Sequence, residues 1–353
     1  MRIRVKRWAI LSAILLIINF LPGTVQDIPV MQMISSDKAY AASSAEHRYC
    51  RTMLSNKTQR YIYDKYLGAI KKGKKVCWFD DKKYKMSEDN FRVAEYAIFM
   101  DYPELLYWQN YKGIAWWRGK KTNKSIYKVD IFYNKTLKAK AKEYEARANA
   151  IVASIPKSCE TDYEKALYLQ DFLCDITTYI NKATQENPHP DDQHTCFGPI
   201  IYGEGVCEGY ARAYQDLLRR AGIKALTVYG YHVLSENDSS GQFISYMEYN
   251  GRIWAGHAWN VIWLDGKCYY ADPTSADRDN GVYSYEHFCK SREEYDETYL
   301  VCESVKPNTA TTKFLDRVYG TCGHESLPYI YDDANTDAKL KPGVKYYYKV
   351  EAI

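Results

Sequence analysis

From Cys207 onward the apolar residues fall at Tyr210, Ala211, Tyr214, Leu217, Leu218 and Ala221. That three-and-four spacing predicts a helix with one buried face. Gly222 supplies a C-terminal stop, and the turn Gly203-Glu-Gly-Val206 leads in. Downstream the period changes to two. His257 to Leu264 and Lys267 to Ala271 read as strands around Asp265-Gly266, the signal of a two-residue type I′ hairpin. Pairing outward from that turn sets Leu264 opposite Lys267 and Trp259 opposite Asp272. His257 shares the face of Trp259, so His257 and Asp272 become diagonal neighbours, their backbones roughly 7–8 Å apart and their side chains able to meet. Pro273, which has no N–H for the ladder, fits the strand end.

The remaining pattern mixes both periods. Thr52 to Ala69 has helical character. Ser87-Glu-Asp-Asn90 is a helix entry, followed by Phe91, Ala94, Ala97 and Ile98, and broken by Pro103. Gly113 to Arg118 and Ser125 to Tyr133 read as strands, Leu137 to Ile155 as a helix. Thr161-Asp-Tyr-Glu164 is a capping box that opens another helix. Ala225 to Val233 is a strand, and Phe243 to Tyr249 with Arg252 to Trp254 a hairpin about Asn250-Gly251. Tyr283 to Tyr299 is read as partly helical, and a last strand is expected in Leu340 to Ile353.

The N-terminus reads as a secretory leader: basic through Trp8, apolar from Ala9 to Leu21, with Ala39-Tyr-Ala41 as a cleavage site. The apolar run is short of the roughly 20 residues of a membrane span, so no stable span is expected after cleavage; an uncleaved anchor is the alternative. The expected organisation is a signal peptide at 1–41, an N-terminal helix and strand region at 42–135, a catalytic core at 136–300 and a C-terminal extension at 301–353. The chain carries a net charge of +4, most of it in the leader, with no dense basic stripe, so no nucleic-acid partner is expected. The 10 cysteines fit export, with Cys159–Cys174 and Cys289–Cys302 as pairs on proximity alone. No cysteine or histidine spacing suits zinc, and no cofactor or metal is expected. The loop with His189, Asp191, Asp192 and His194 reads as a lid rather than a metal site, and Lys71 to Lys75 as a solvated loop. The 35 tyrosines read as a compositional habit, with aromatic binding surfaces as the alternative.

The chemistry gathers at three residues. Cys207 lies in a first helical turn, where free N–H groups and the positive dipole end favour a thiolate. His257 and Asp272 supply a base and the carboxylate that fixes its tautomer. Glu204 and Glu208, flanking the nucleophile, read as rim residues, and His232 as structural.

Gly205-Val-Cys-Glu-Gly-Tyr-Ala211, Gly256-His-Ala-Trp-Asn-Val261 and Tyr270-Ala-Asp-Pro-Thr274 together resemble the transglutaminase-like superfamily core, from about Asp162 to Thr274. Asp101-Tyr-Pro-Glu-Leu-Leu-Tyr-Trp108 is similar to a segment preceding this core in secreted bacterial members. The resemblance implies a papain-like α+β fold, the nucleophile at a helix N-terminus packed on an antiparallel sheet, with Cys207 as nucleophile, His257 as base and Asp272 as orienting residue. The family holds cross-linkers, peptidases, deamidating enzymes and peptide N-glycanases, so it fixes mechanism better than substrate. The expectation is a secreted, extracellular cysteine-dependent enzyme, with cell-wall association as the alternative for the enzyme and its substrate, acting on protein or peptide amides through a thioester. Hydrolysis is favoured over glutamine cross-linking, because no calcium cluster or paired acceptor site is visible. The alternative from another class is a non-catalytic cell-wall or glycan-binding module, with aromatics such as Trp116 as its contacts.

Overall fold

The computed structural model describes residues 48–319, apart from 81–82, 85, 109–114, 122–123, 132, 134, 181–191, 235–245, 278–282, 297 and 302–309. All lie in one compact unit, Ala42–Ser326. The expected signal peptide and the strand at 340–353 fall outside the described residues.

The N-terminal part holds helices α1 (Tyr49–Thr52), α2 (Lys57–Lys71) and α3 (Glu88–Asp101) beside a three-stranded antiparallel sheet ordered β1 (Val76–Asp80), β3 (Lys124–Asp130), β2 (Ala115–Lys121). Ser87 caps α3 by accepting the Asn90 N–H, as its place before Glu88 and Asp89 predicts. Strand β1 was hidden in a stretch whose overall polarity masks a five-residue run. Beyond the sheet come α4 (Lys135–Ala153) and α5 (Asp162–Ile176), the latter opened by the Thr161–Glu164 capping box.

The second sheet is the scaffold of the site. Its order is β10 (Phe288–Lys290), β9 (Lys267–Ala271), β8 (Arg252–Leu264), β6 (Ala225–Val233), β11 (Tyr299–Val301), with β7 (Tyr246–Tyr249) also on β8. Both hairpins turn as read: Asn250 and Gly251 have φ of 50° and 71°, Asp265 and Gly266 50° and 76°, the left-handed values of a type I′ turn. Leu264 faces Lys267, and the ladder ends at Asn260 with Ala271. Strand β8 is paired to β6 from Trp254 to Ile262. Its other edge is shared, β7 taking Arg252–Ala255 and β9 taking Asn260–Leu264. Helix α6 (Cys207–Arg220) packs on β6 and β8, with α4 and α5 beside it. The stretch 283–299 holds β10 and only a short helix, α8 (Arg292–Asp296); α9 (Ala310–Tyr319) follows β11.

Polar anchors tie the far end of α6 to the N-terminal part. Arg219 donates from Nη2 to the Met100 carbonyl at 2.9 Å and from Nε to the Ala225 carbonyl at 2.9 Å, and from Nη1 to the Asp101 carbonyl. Gln215 donates to the Met100 carbonyl at 2.6 Å and accepts from the Thr227 N–H at 2.9 Å. Many tyrosines serve as buried staples rather than binding surfaces. Tyr63 bonds Asp101, Tyr144 Asp216, Tyr210 Asp277, Tyr285 Asp171 and Tyr299 Asp272. Each buries an aromatic body while its hydroxyl satisfies an acceptor, the pattern expected of a buried phenol.

Cysteine usage departs from expectation. Cys159, Cys174 and Cys289 are free thiols, so neither pair drawn from sequence proximity forms. Cys50, Cys77, Cys174, Cys196 and Cys289 are buried and unbridged, and pack as small hydrophobes. Among the described residues no helix is long and apolar enough to cross a membrane.

Candidate active site

Cys207 is the first residue of α6 and is partly exposed. Val206 stands at the N-cap with extended backbone and offers no side-chain cap, so the first-turn N–H groups are left for other acceptors. The loop before the helix is pressed against that turn. A Cβ on Gly209 would stand 2.2 Å from the Gln193 carbonyl oxygen, an approach only glycine permits. The same carbonyl accepts the Val206 N–H at 3.2 Å, which fixes the entry to Cys207.

His257 lies on β8 and Asp272 just past the end of β9, and the structure brings them together. His257 Nε2 is 2.7 Å from Asp272 Oδ2. Their side chains are 7% and 0% exposed. A carboxylate only accepts, so Nε2 carries the proton and Nδ1 is left for the thiol side of the ring. Burial opposes a charged imidazole here. The Asp272 charge and hydrogen bond, and then a hydrogen bond with Cys207, override it and push the imidazolium up to about 10. Burial likewise opposes a charged Asp272, but the His257 charge and bond, with the Tyr299 bond, hold this carboxyl well below the usual range.

Asp272 is also the N-cap of α7 (Pro273–Ala276). Its Oδ1 accepts the N–H groups of Thr274 at 3.0 Å and Ser275 at 3.2 Å. Its Oδ2 also takes the hydroxyls of Ser275 and Tyr299, both at 2.7 Å. The pairing arithmetic of the hairpin placed this residue beside His257; the capping role explains why it leaves the ladder there. Asn260, three residues beyond His257, donates to the Ala211 carbonyl at 2.8 Å and so joins β8 directly to α6.

Two neighbours of Cys207 escaped the sequence reading. Tyr179 lies on β4 (Thr178–Tyr179), which pairs in parallel with β5 (Glu204–Gly205), Tyr179 opposite Gly205. Its hydroxyl accepts the Cys207 backbone N–H and also contacts the thiol. A two-residue strand gives no periodicity, so only its β-prone Thr-Thr-Tyr composition could have flagged it. Glu208, read as a rim residue, is instead held in an ion cluster. Arg212 donates to its Oε1 from Nη2 at 2.7 Å, and His194 Nδ1 lies 3.1 Å from Oε2. Burial works against this charge, but Arg212 and His194 outweigh it and push the carboxyl down to about 2. Of the other loop residues, Asp192 is buried, while His189 and Asp191 lie outside the described residues. His232 packs against His257 itself, with ring centroids 4.8 Å apart. Among the described residues no group of three or more potential metal ligands occurs.

A helix-borne cysteine over an antiparallel sheet that carries a His–Asp pair fits the α+β fold of transglutaminase-like proteins. Residues 149–273 match the family model of the transglutaminase-like superfamily, and this segment is a transglutaminase-like domain. The Kyphoscoliosis peptidase of Mus musculus is 25% identical over 153 residues, 41% of this chain and 21% of that protein. The chain spans about a fifth of the length of the relatives it matches in sequence. A solved structure described as a TGase shares 15% identity over 48% of this chain and 46% of its own, with a TM-score of 0.28. The periplasmic domain of TgpA from Pseudomonas aeruginosa shares 20% identity over 43% and 56%, with a TM-score of 0.26.

Proposed function

We propose that the chain is a cysteine-dependent acyl-transfer enzyme that acts on protein or peptide amides, and that its ordinary acceptor is water. The observation that carries this reading is the 2.7 Å His257–Asp272 bond beside a partly exposed cysteine at a helix N-terminus. In this reading the Cys207 thiolate adds to an amide carbonyl carbon, and the carbonyl electrons move to oxygen. The Cys207 N–H, which the Tyr179 hydroxyl accepts in the resting site, is the donor that turns to that oxygen. Collapse breaks the C–N bond as His257 gives its Nδ1 proton to the leaving nitrogen. Water then attacks the thioester and returns a proton to His257, and the carboxylic acid leaves from a restored thiolate–imidazolium pair. Asp272 stays ionised throughout and keeps the ring in one tautomer. The leader sequence supports an extracellular or wall-facing place of work.

The test uses the full chain with casein and a fluorescent alkylamine, read by peptide mass spectrometry. Glutamine converted to glutamate, or new peptide ends, lost in Cys207→Ala, is the result expected. Amine incorporation that exceeds both would make the enzyme a cross-linker. No Cys207-dependent product, and no trapped acyl-enzyme, would favour the non-catalytic binding module.

A further inference from the structure

Asp272 holds the His257 ring through one atom, Nε2. A hydrogen bond at a single ring nitrogen leaves the ring free to turn about that axis. The plane of the ring decides where Nδ1 points, so packing against the ring must back up the bond to Cys207.

The strand register supplies it. Gly230 on β6 stands opposite His257, so no side chain faces the histidine directly, and His232, two residues on, becomes its diagonal neighbour. The His232 ring meets His257 edge-on, with centroids 4.8 Å apart and planes at 65°. Trp259 lies nearly parallel to the ring, at 6.0 Å and 23°. Gly230 is what lets the indole lie there: a Cβ at 230 would stand 2.6 Å from Trp259 Cη2 and 2.1 Å from the Leu300 carbonyl oxygen. His232 is itself held, its Nδ1 lying 3.1 Å from the Val233 carbonyl oxygen. A carbonyl only accepts, so Nδ1 carries the hydrogen and a neutral His232 keeps its lone pair on Nε2.

We propose that His232 is a positioning residue for His257: as a neutral imidazole it clamps the ring against Trp259 with Nδ1 aimed at Cys207, and its protonation in acid loosens that clamp. The step to acid sensitivity is electrostatic. A protonated His232 sets a second cation edge-on against the His257 imidazolium, and like charges at that distance disfavour each other. Facing His232 are His257 from β8 and Tyr299 from β11; Asp272 stands beyond His257, and His287 beyond Tyr299. The inference rests on the reading of Cys207 and His257 as nucleophile and base.

Two measurements on the full chain test it together: the rate of Cys207 alkylation by iodoacetamide from about pH 4 to about pH 8, and the imidazole nitrogen resonances of His257 over the same range. His232→Ala removes the clamp, and labelling at neutral pH slows about tenfold as Nδ1 loses its aim. His232→Phe keeps a ring but cannot titrate. It stays within about threefold of wild type at neutral pH, and its acid limb moves down by about one pH unit. A half-buried residue with a merely structural role would lower the melting temperature of both variants and leave both pH profiles where they are; that outcome overturns the proposal. Slow labelling of the wild type would sink the nucleophile reading instead. The His257 resonances then decide the clamp alone: it stands if they broaden in His232→Ala and falls if they match wild type.

Discussion

Asp101 and Asp272 are both fully buried, and their immediate surroundings are close to interchangeable. Asp101 accepts a tyrosine hydroxyl, from Tyr63 at 2.6 Å, and two backbone N–H groups, from Cys50 at 2.8 Å and Arg51 at 3.1 Å. Asp272 accepts Tyr299 at 2.7 Å and the N–H groups of Thr274 and Ser275. Yet their acidities part in opposite directions. Burial pushes Asp101 up to about 6, with Arg219 and the hydrogen bonds only partly offsetting it. Asp272 is held low because an imidazolium is bonded directly to it. Neutral donors satisfy a buried carboxylate; a bonded cation is needed to keep it charged at little cost. The first arrangement builds a joint in the fold, the second a buried ion pair.

The comparison breaks most visibly at the charge itself. Asp272→Asn keeps most of the geometry but removes the group that fixes the His257 tautomer, so acyl-enzyme formation is expected to fall by on the order of 10³-fold, measured in a single turnover. A variant acylating as fast as wild type would mean that Asp272 is only a helix cap.

Asp101→Ala is the structural counterpart. It leaves the Tyr63 hydroxyl and two N–H groups without their acceptor, and about 3 kcal/mol of stability in urea unfolding is expected to go while Cys207 labelling stays as it was. Slowed labelling would show that the joint reaches the site.

The two carboxylates also oppose each other in pH. Asp101 has a folded value of about 6 against an ordinary 3.8. Its contribution is fully present below about 3.8 and is lost as pH rises through about 6, up to about 3 kcal/mol. Asp272 has the reverse sign: its contribution is present above the ordinary carboxylate range and is lost as pH falls below it. Asp101→Asn is therefore expected to gain on wild type in relative stability between about pH 4 and about pH 7, and Asp272→Asn to gain on wild type only in stronger acid. Parallel shifts in calorimetric melting would refute the distinction.

The smallest expected effect is the most discriminating. Tyr63→Phe and Tyr299→Phe each remove one hydroxyl from one carboxylate, worth about 1–2 kcal/mol. The first is expected to lower melting only; the second is expected to shift the pH profile of Cys207 labelling as well. Identical behaviour of the pair would erase the contrast drawn above.

Much of the site's frame was readable because it rests on local rules. Gly222 ends α6, Asp265-Gly266 forces the type I′ turn, and alternation along β8 and β9 then sets His257 toward Asp272. What stayed hidden depends on contacts far apart in sequence. Tyr179 reaches Cys207 through a two-residue parallel pair with β5, too short to leave a period. Glu208 is an ion-cluster residue because His194 and Arg212 converge on it, and nothing at position 208 announces that. His232 was read as structural because a lone histidine on a strand usually is; only the β6–β8 register shows what it touches. The cysteine pairs failed for a related reason, since nearness in sequence says nothing about where two thiols point.

The uneven pairing of β8 has a consequence for how the protein breathes. One edge is bonded to β6 through nine consecutive partners, Trp254 to Ile262, while on the other edge Gly256–Trp259 lie between the end of β7 and the start of β9. Backbone amides bonded to β6 can exchange with solvent deuterium only when the whole sheet comes apart, whereas those turned toward the gap need no such event. Along a single strand, alternate amides around the histidine would then keep two clocks: a slow one set by global unfolding and a fast one set by the site.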